Sequence, residues 1–345
     1  MGGRFAAFIR LSRLRFLVES QLTVTLGVAV SVYSGHPFAL GTWLLIQSTV
    51  VLTHLMTHYC NEYFDLAADS AHTAPNRWTG GSQVLVKGAL RPEVSLAAAF
   101  VLLFVVLALT VLMPDPVQRL ISLAAIALAW FYTAPPVRLN YRAVGEVTTA
   151  ASLTLFCPFL MVYSLTGGFP AELVAVCVPL LLVMTARMMV MNFVDRDSDL
   201  LVGKRTLPNT LGARRAALVF AGLQGAAYAI VLATTLARVL PLAVGVGLLL
   251  TVPGAVLLSR RLVREPPSPD APEQATSTAH LATAHAAATG VVSVVGFTVA
   301  TAIDDGVTAS VVACAVLFAL YVTPAVGVQV LDAFKRGRAG AVGAA

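Results

Sequence analysis

At 345 residues, 58% of them hydrophobic and with a mean hydropathy of +0.82, the chain carries more apolar surface than a soluble protein can bury. Only 12% of its residues are charged, against about 25% in soluble domains. The net charge of +6 is dispersed between apolar runs, and no basic stretch is interleaved with aromatics, which excludes a nucleic-acid-binding surface.

A segment of about 18–20 residues with few charges spans a bilayer as a helix. Ten such spans are predicted, at 15–34, 38–60, 93–113, 117–134, 144–166, 170–192, 213–237, 239–259, 279–302 and 307–331. The expected fold is therefore an all-α polytopic membrane protein, a single-domain bundle of nine to ten transmembrane helices. The N-terminus carries Arg4, Arg10, Arg13 and Arg15. This charge-then-apolar pattern has the outline of a signal peptide, but it lacks a small-residue cleavage site, so span 1 reads as retained. Span 2 holds His54 and His58 at i, i+4 spacing. With no HExxH glutamate and no third soft ligand near, they read as polar residues lining the bundle rather than as zinc ligands.

Span 2 runs into Asn61-Glu62-Tyr63-Phe64-Asp65-Leu66-Ala67-Ala68-Asp69. Span 6 runs into Met191-Asn192-Phe193-Val194-Asp195-Arg196-Asp197-Ser198-Asp199. Aligned on Asp65 and Asp195, both read polar–aromatic–apolar–Asp–x–x–x–Asp. Carboxylates four apart on a helix share one face, so each motif offers two oxygen ligands to a hard cation. Two such clusters at one mouth of a bundle suit a polyanion held through divalent metals. The alternatives are acids that only solvate a membrane edge, and a transporter that binds a coupling cation. Spans 1–2 and spans 5–6 share one layout, which predicts two pseudo-equivalent halves with a site between them.

The polar segments 61–92 and 193–212 are the natural lids of that site. The first contains Gly80-Gly81-Ser82-Gln83, a turn able to offer backbone donors to phosphate. The second contains Gly203-Lys204-Arg205-Thr206-Leu207. Arg187 lies inside span 6 on one stripe with Met191, Asp195 and Asp199. An arginine within a membrane faces a cavity or a partner. Two readings stay open for it: contact with a ligand below the metals, or a pair with Glu19 or another buried acid. Residues 265–277 read as a loop, and Cys60, Cys157, Cys177 and Cys314 as free thiols in apolar spans.

Twenty of the 23 basic residues fall on one side of the ten-span topology, including Arg77, Lys87, Arg91, Arg196, Lys204 and the tail residues Lys335, Arg336 and Arg338. The positive-inside rule assigns that side, and both acidic motifs with it, to the cytoplasm.

Together, NEYFDLAAD, YTAPPVRLNYRAVGE (132–146) and NFVDRDSDLLVGKRTLPNTLG (192–212) resemble the UbiA superfamily of intramembrane prenyltransferases, most closely the 1,4-dihydroxy-2-naphthoate prenyltransferase branch. The resemblance covers roughly residues 15–300. It implies a helical bundle, usually of nine spans, around a central cavity, placed here in a bacterial cytoplasmic membrane with its mouth facing the cytoplasm. It also implies a prenyl diphosphate as donor, a small aromatic acceptor and two Mg²⁺ ions. Asn61, Asp65 and Asp69 would serve one ion, and Asn192, Asp195 and Asp199 the other. Lys204, Arg205 and Arg142 would contact the diphosphate, with Tyr132 and Arg138 of the second motif segment beside them. By their own placement on the helices, His58, one turn before Asn61, would touch the acceptor, and Arg187 the acceptor or the diphosphate. Tyr63, Phe64, Phe156, Phe159 and Tyr163 are candidates to shield a carbocation. Met191 stands where an Asn is common, and Glu62 where many relatives have Asp. Some members of the superfamily cyclise a prenyl diphosphate without an acceptor, which is the alternative activity on the same scaffold.

Overall fold

The computed structural model describes residues 2–324, apart from 73, 74, 76, 77, 269 and 270. Arg77, the last seven residues of the tenth predicted span, and Lys335, Arg336 and Arg338 lie outside the described residues. Within them the chain is all helical, with no strand.

A short helix α1 (Gly2–Leu11) leads through a tight turn to α2 (Leu17–Tyr33) and then α3 (Leu40–Phe64). Helix α4 (Leu66–Ala71) follows at once; α5 (Pro92–Val111) and α6 (Pro116–Phe131) complete the first half. The second half opens with α7 (Gly145–Ala151) and α8 (Cys157–Thr166), joined by a π-helical stretch at Ser152–Phe156. The cause is Pro158, which has no N–H to donate to Thr154 and whose ring crowds that carbonyl. Then come α9 (Ala171–Val194), α10 (Arg196–Leu201), α11 (Leu207–Leu211), α12 (Ala213–Leu236), α13 (Leu242–Leu249), α14 (Val252–Arg264), α15 (Pro272–Asp304) and α16 (Ala309–Pro324).

Among the described residues, each of the ten predicted spans overlaps a helical segment. Eight segments among the described residues are long and apolar enough to cross a bilayer, while α6 and α16 are shorter. The protein is an integral membrane protein. Helix α15 starts at Pro272, so the predicted loop at 265–277 ends six residues early, with the proline at the first helical turn.

The halves repeat their packing. In the first, α3 lies along α5; in the second, α9 lies along α12. Small residues make both approaches close: Ser95 and Ala99 on α5, Ala216 and Ala217 on α12 are all buried. The Ser95 hydroxyl donates to the Tyr59 carbonyl across the first contact, at 2.8 Å. The opposite face of α5 (Phe100, Val101, Phe104, Val105) is exposed, as a lipid-facing surface must be. Helices α2, α8, α9 and α15 meet in the largest apolar core.

Candidate active site

Both acidic motifs sit where a long helix breaks. Helix α3 stops at Phe64 with Asp65 as its cap, and α4 restarts at Leu66. Helix α9 stops at Val194 with Asp195 as its cap, and α10 restarts at Arg196. The Asp69 N–H donates to the Asp65 carbonyl at 2.9 Å, and the Asp199 N–H to the Asp195 carbonyl at 2.8 Å, so the four-residue spacing survives both breaks. Helices α4 and α10 pack on each other, which brings the two motifs to one mouth.

Lys204 ties them together: its Nζ lies 3.3 Å from Asp65 Oδ2 and 3.3 Å from Asp199 Oδ1. Asn140 Nδ2 donates to both Asp65 oxygens, at 3.0 and 3.3 Å, and His72 Nε2 lies 2.6 Å from Asp195 Oδ1. Burial first, then repulsion from Asp65 and Glu62, pushes the Asp69 carboxyl up to about 8. Burial also raises Asp199, to about 7, with Lys204 opposing and Asp195 adding to the rise. Burial works against the charge on Lys204, yet the Asp65 and Asp199 carboxylates outweigh it and hold the ammonium well above the ordinary lysine range.

Carboxylates pushed toward protonation by burial and then by each other's charge are a fit for a hard cation. Two buried oxygens without a hydrogen-bond partner, Asn61 Oδ1 and Asp199 Oδ2, add to that fit. Among the described residues no three Asp, Glu, His or Cys side chains converge on one point. The donor set suits Mg²⁺, which takes one or two carboxylates and completes its shell with phosphate oxygens and water.

A cavity of about 240 Å³ opens at this mouth. Asn61, Asp65, Asp69, Tyr132, Asn192, Asp195 and Lys204 line its upper part, and Leu128, Ala129, Leu153, Phe156 and Leu160 its apolar wall. Asn192 Nδ2 donates to Glu146 Oε1 at 2.8 Å, which leaves the amide oxygen for the cavity. Of the two readings for Arg187, the ion pair is present: Nη2 and Nη1 meet the two Glu19 oxygens at 2.6 and 2.8 Å, on the cavity wall.

Each lid is anchored by a buried glutamate. Glu62 accepts from Ser82 N (2.7 Å) and Ser82 Oγ (2.6 Å), and Arg13 Nη1 lies 3.7 Å from it. Glu146 accepts from Leu207 N at 2.8 Å while it holds Asn192. The first anchor presses Gly81 so close to Asp69 that a Cβ there would lie 2.1 Å from Oδ2, and its φ of +66° also favours glycine.

Some expectations need correction. Arg142 and Arg205 are exposed and do not line the cavity: Arg142 Nη2 donates to the Pro136 carbonyl at 3.3 Å, and the Arg205 carbonyl accepts from Ala143 N at 2.7 Å. Arg138 also lies off the cavity and stacks 3.7 Å over the Tyr141 ring. Of the five candidate aromatics, Phe156 lines the cavity; Phe159 and Tyr163 stack on Phe169 instead, and Tyr63 packs edge-on against Phe64. Sequence reasoning missed Arg13, His72 and Asn140, although Asn140 falls inside the motif segment 132–146 and His72 lies three residues past Asp69.

The family model of the UbiA prenyltransferase family matches residues 22–283. The chain belongs to this family. Solved structures of UbiA-type proteins share the fold. A digeranylgeranylglyceryl phosphate synthase is 15% identical and superposes with a TM-score of 0.63 over 85% of this chain and 98% of its own. A UbiA homologue from Aeropyrum pernix K1 is 18% identical, with a TM-score of 0.57 over 77% and 96%. A UbiA homologue from Archaeoglobus fulgidus bound to DMAPP and Mg²⁺ is 16% identical, with a TM-score of 0.54 over 83% and 98%. A search of curated proteins found no match to this UbiA family member.

Proposed function

We propose that the protein transfers a prenyl group from a prenyl diphosphate to a small hydroxylated aromatic acceptor within the membrane, with Mg²⁺ held by the two aspartate motifs. The observation that carries this is the single cavity that joins Asp65, Asp69, Asp195 and Lys204 to an apolar interior. Binding of DMAPP and Mg²⁺ by the Archaeoglobus homologue supports the donor class and the metal. The motif resemblance points to a 1,4-dihydroxynaphthoate-type ring as acceptor, and the basic residues point to a cytoplasmic mouth.

Asp65, Asp69 and Asn61 would hold one ion, and Asp195, Asp199 and Asn192 the other. When bound, the metal supplies Lewis-acid neutralisation of the leaving diphosphate. The protein does the rest. Lys204 fixes a positive charge where the two motifs meet, and the low dielectric around it strengthens its hold on an anion. Gly81 packs directly on Asp69, and Asn140 orients Asp65. Leu128, Leu153 and Leu160 exclude water from the allylic carbon and take the tail, with Phe156 adding an aromatic ring to that wall.

The cavity is also lined by Ser20, Thr53, His54, Thr57 and His58, a polar region that favours a polar acceptor over acceptor-free cyclisation. Family membership favours transfer over cation-coupled transport. The test is mass spectrometry of purified protein with Mg²⁺ and C10, C15 and C20 diphosphates, with and without hydroxylated aromatics. A prenylated aromatic that requires Mg²⁺ is expected. A hydrocarbon or terpene alcohol formed without acceptor would replace this reading with cyclisation.

A further inference from the structure

Transfer to a hydroxylated ring releases a proton, and the groups described so far are committed elsewhere: the aspartates to metal, Glu19 to Arg187, Lys204 to Asp65 and Asp199. His58 is not. It is buried on α3 and lines the cavity. Its Nδ1 lies 2.8 Å from the Ser12 carbonyl oxygen. A carbonyl only accepts, so Nδ1 carries the hydrogen and the lone pair of the neutral ring sits on Nε2.

The ring is held from several sides. Ser12 Oγ donates to the Phe8 carbonyl at 3.1 Å and lies 2.6 Å from the Tyr59 hydroxyl, which fixes the residue that orients His58. Phe16 meets the imidazole edge-on at 5.9 Å, and His54 does so at 4.6 Å. His54 is itself bonded to Ser20 through Nδ1. Among the described residues nothing hydrogen-bonds His58 Nε2, so that nitrogen is left for a ligand. His58 precedes Asp65 by seven residues on α3, about 10 Å along the axis. A diphosphate at the mouth followed by the ring it alkylates occupies a comparable depth.

We propose that His58 Nε2 is the proton acceptor of the reaction, taking the hydroxyl proton of the aromatic acceptor; this rests on the transfer reading above. The allylic C–O bond breaks with its electron pair going to the diphosphate. The acceptor O–H bond gives its pair to the ring as His58 takes the proton, and the ring carbon ortho to the oxygen forms the new C–C bond. The dienone so formed loses its ring proton to the departing diphosphate and regains the hydroxyl proton from His58. One proton leaves on the diphosphate, and His58 ends neutral.

The test compares His58→Gln with the unsubstituted protein on two acceptors, an ordinary phenol and a fluorinated phenol already ionised at the assay pH. Each transfer rate is divided by the concentration of monodisperse protein measured by size-exclusion chromatography, which corrects for the amount of folded protein. With the ordinary phenol that ratio is expected to fall by roughly 10²–10⁴-fold, the usual worth of a general base. With the ionised phenol the loss should shrink to under about tenfold, because no proton has to be taken. His58→Asn serves the same comparison where the glutamine variant folds poorly. Equal losses with both phenols would overturn the assignment, since a structural role is indifferent to the acidity of the acceptor. No prenylated product from the unsubstituted protein with either phenol would overturn the transfer reading, and the proton role with it.

Discussion

Lys204 touches one carboxylate from each half of the molecule at 3.3 Å, so its loss leaves Asp65 and Asp199 without their shared counter-charge. In Lys204→Met, kcat for diphosphate release is expected to fall by about 10²–10³, the usual cost of removing a preorganised charge from a leaving group, and Lys204→Arg should recover part of it. Gly81 acts through space rather than charge. Gly81→Ala drives a methyl into Asp69 and should raise the Mg²⁺ concentration for half-maximal activity by roughly 10–100-fold, the scale seen when a ligand's support is lost. Gly88→Ala is the matched control: its φ is also positive, at +64°, but nothing lies within 4 Å of the new Cβ, so the Mg²⁺ dependence should not move. Sequence spacing singled out Asp65, Asp69, Asp195 and Asp199, and the family resemblance singled out Lys204, without naming what orients them. Neighbours along the chain diverge where the backbone turns: Lys204 faces the cavity while Arg205, next to it, is exposed. No one-dimensional signal separates those two.

The elements that matter most are the two breaks and the two lids behind them. Hydropathy locates α3 and α9, because lipid demands long apolar helices. It does not show that they stop at Phe64 and Val194, since the helical spacing Asp65–Asp69 and Asp195–Asp199 continues across both breaks. Glu62 lies within the first acidic motif, yet it accepts two hydrogen bonds from Ser82 and so holds the first lid. A hydrogen bond to a charged group is worth about 1.5–3 kcal/mol, so Glu62→Gln should speed hydrogen exchange at the Ser82 amide by at least tenfold and raise the donor KM. An unchanged exchange rate would show that the lid is held by something else. Helix α1 escaped the sequence reading because ten residues are too few to announce themselves by apolar length. Its end nonetheless leads to Ser12, the residue that orients His58.

At the scale of the whole molecule, the halves are joined through charges that metal would compensate. In the metal-free fold Asp69 titrates at about 8 and Asp199 at about 7, far above the ordinary value of 3.8. The folded state therefore binds more protons than the unfolded chain between those limits, and metal-free stability should fall as pH rises from about 4 to 8. Mg²⁺ must displace the same protons, so its apparent affinity should rise with pH between 6 and 8 and level off above. Thermal unfolding at pH 6 and pH 8, with and without Mg²⁺, checks both directions: the stabilisation by Mg²⁺ is expected to be larger at pH 8. The two-fold layout was legible from the paired motifs. Its closure into one site was not, because contacts such as His72 to Asp195 join residues more than a hundred apart.

In the proposed mechanism both motifs act on one leaving group. The most direct test is Mg²⁺-dependent diphosphate release from a prenyl diphosphate by Asp65→Asn, Asp195→Asn and the double variant. Each single substitution is expected to lower the rate by at least about 10³, with the double variant scarcely slower than either, as for residues that work as a unit. Losses that multiply in the double variant, or a motif that can be substituted without effect, would contradict the account.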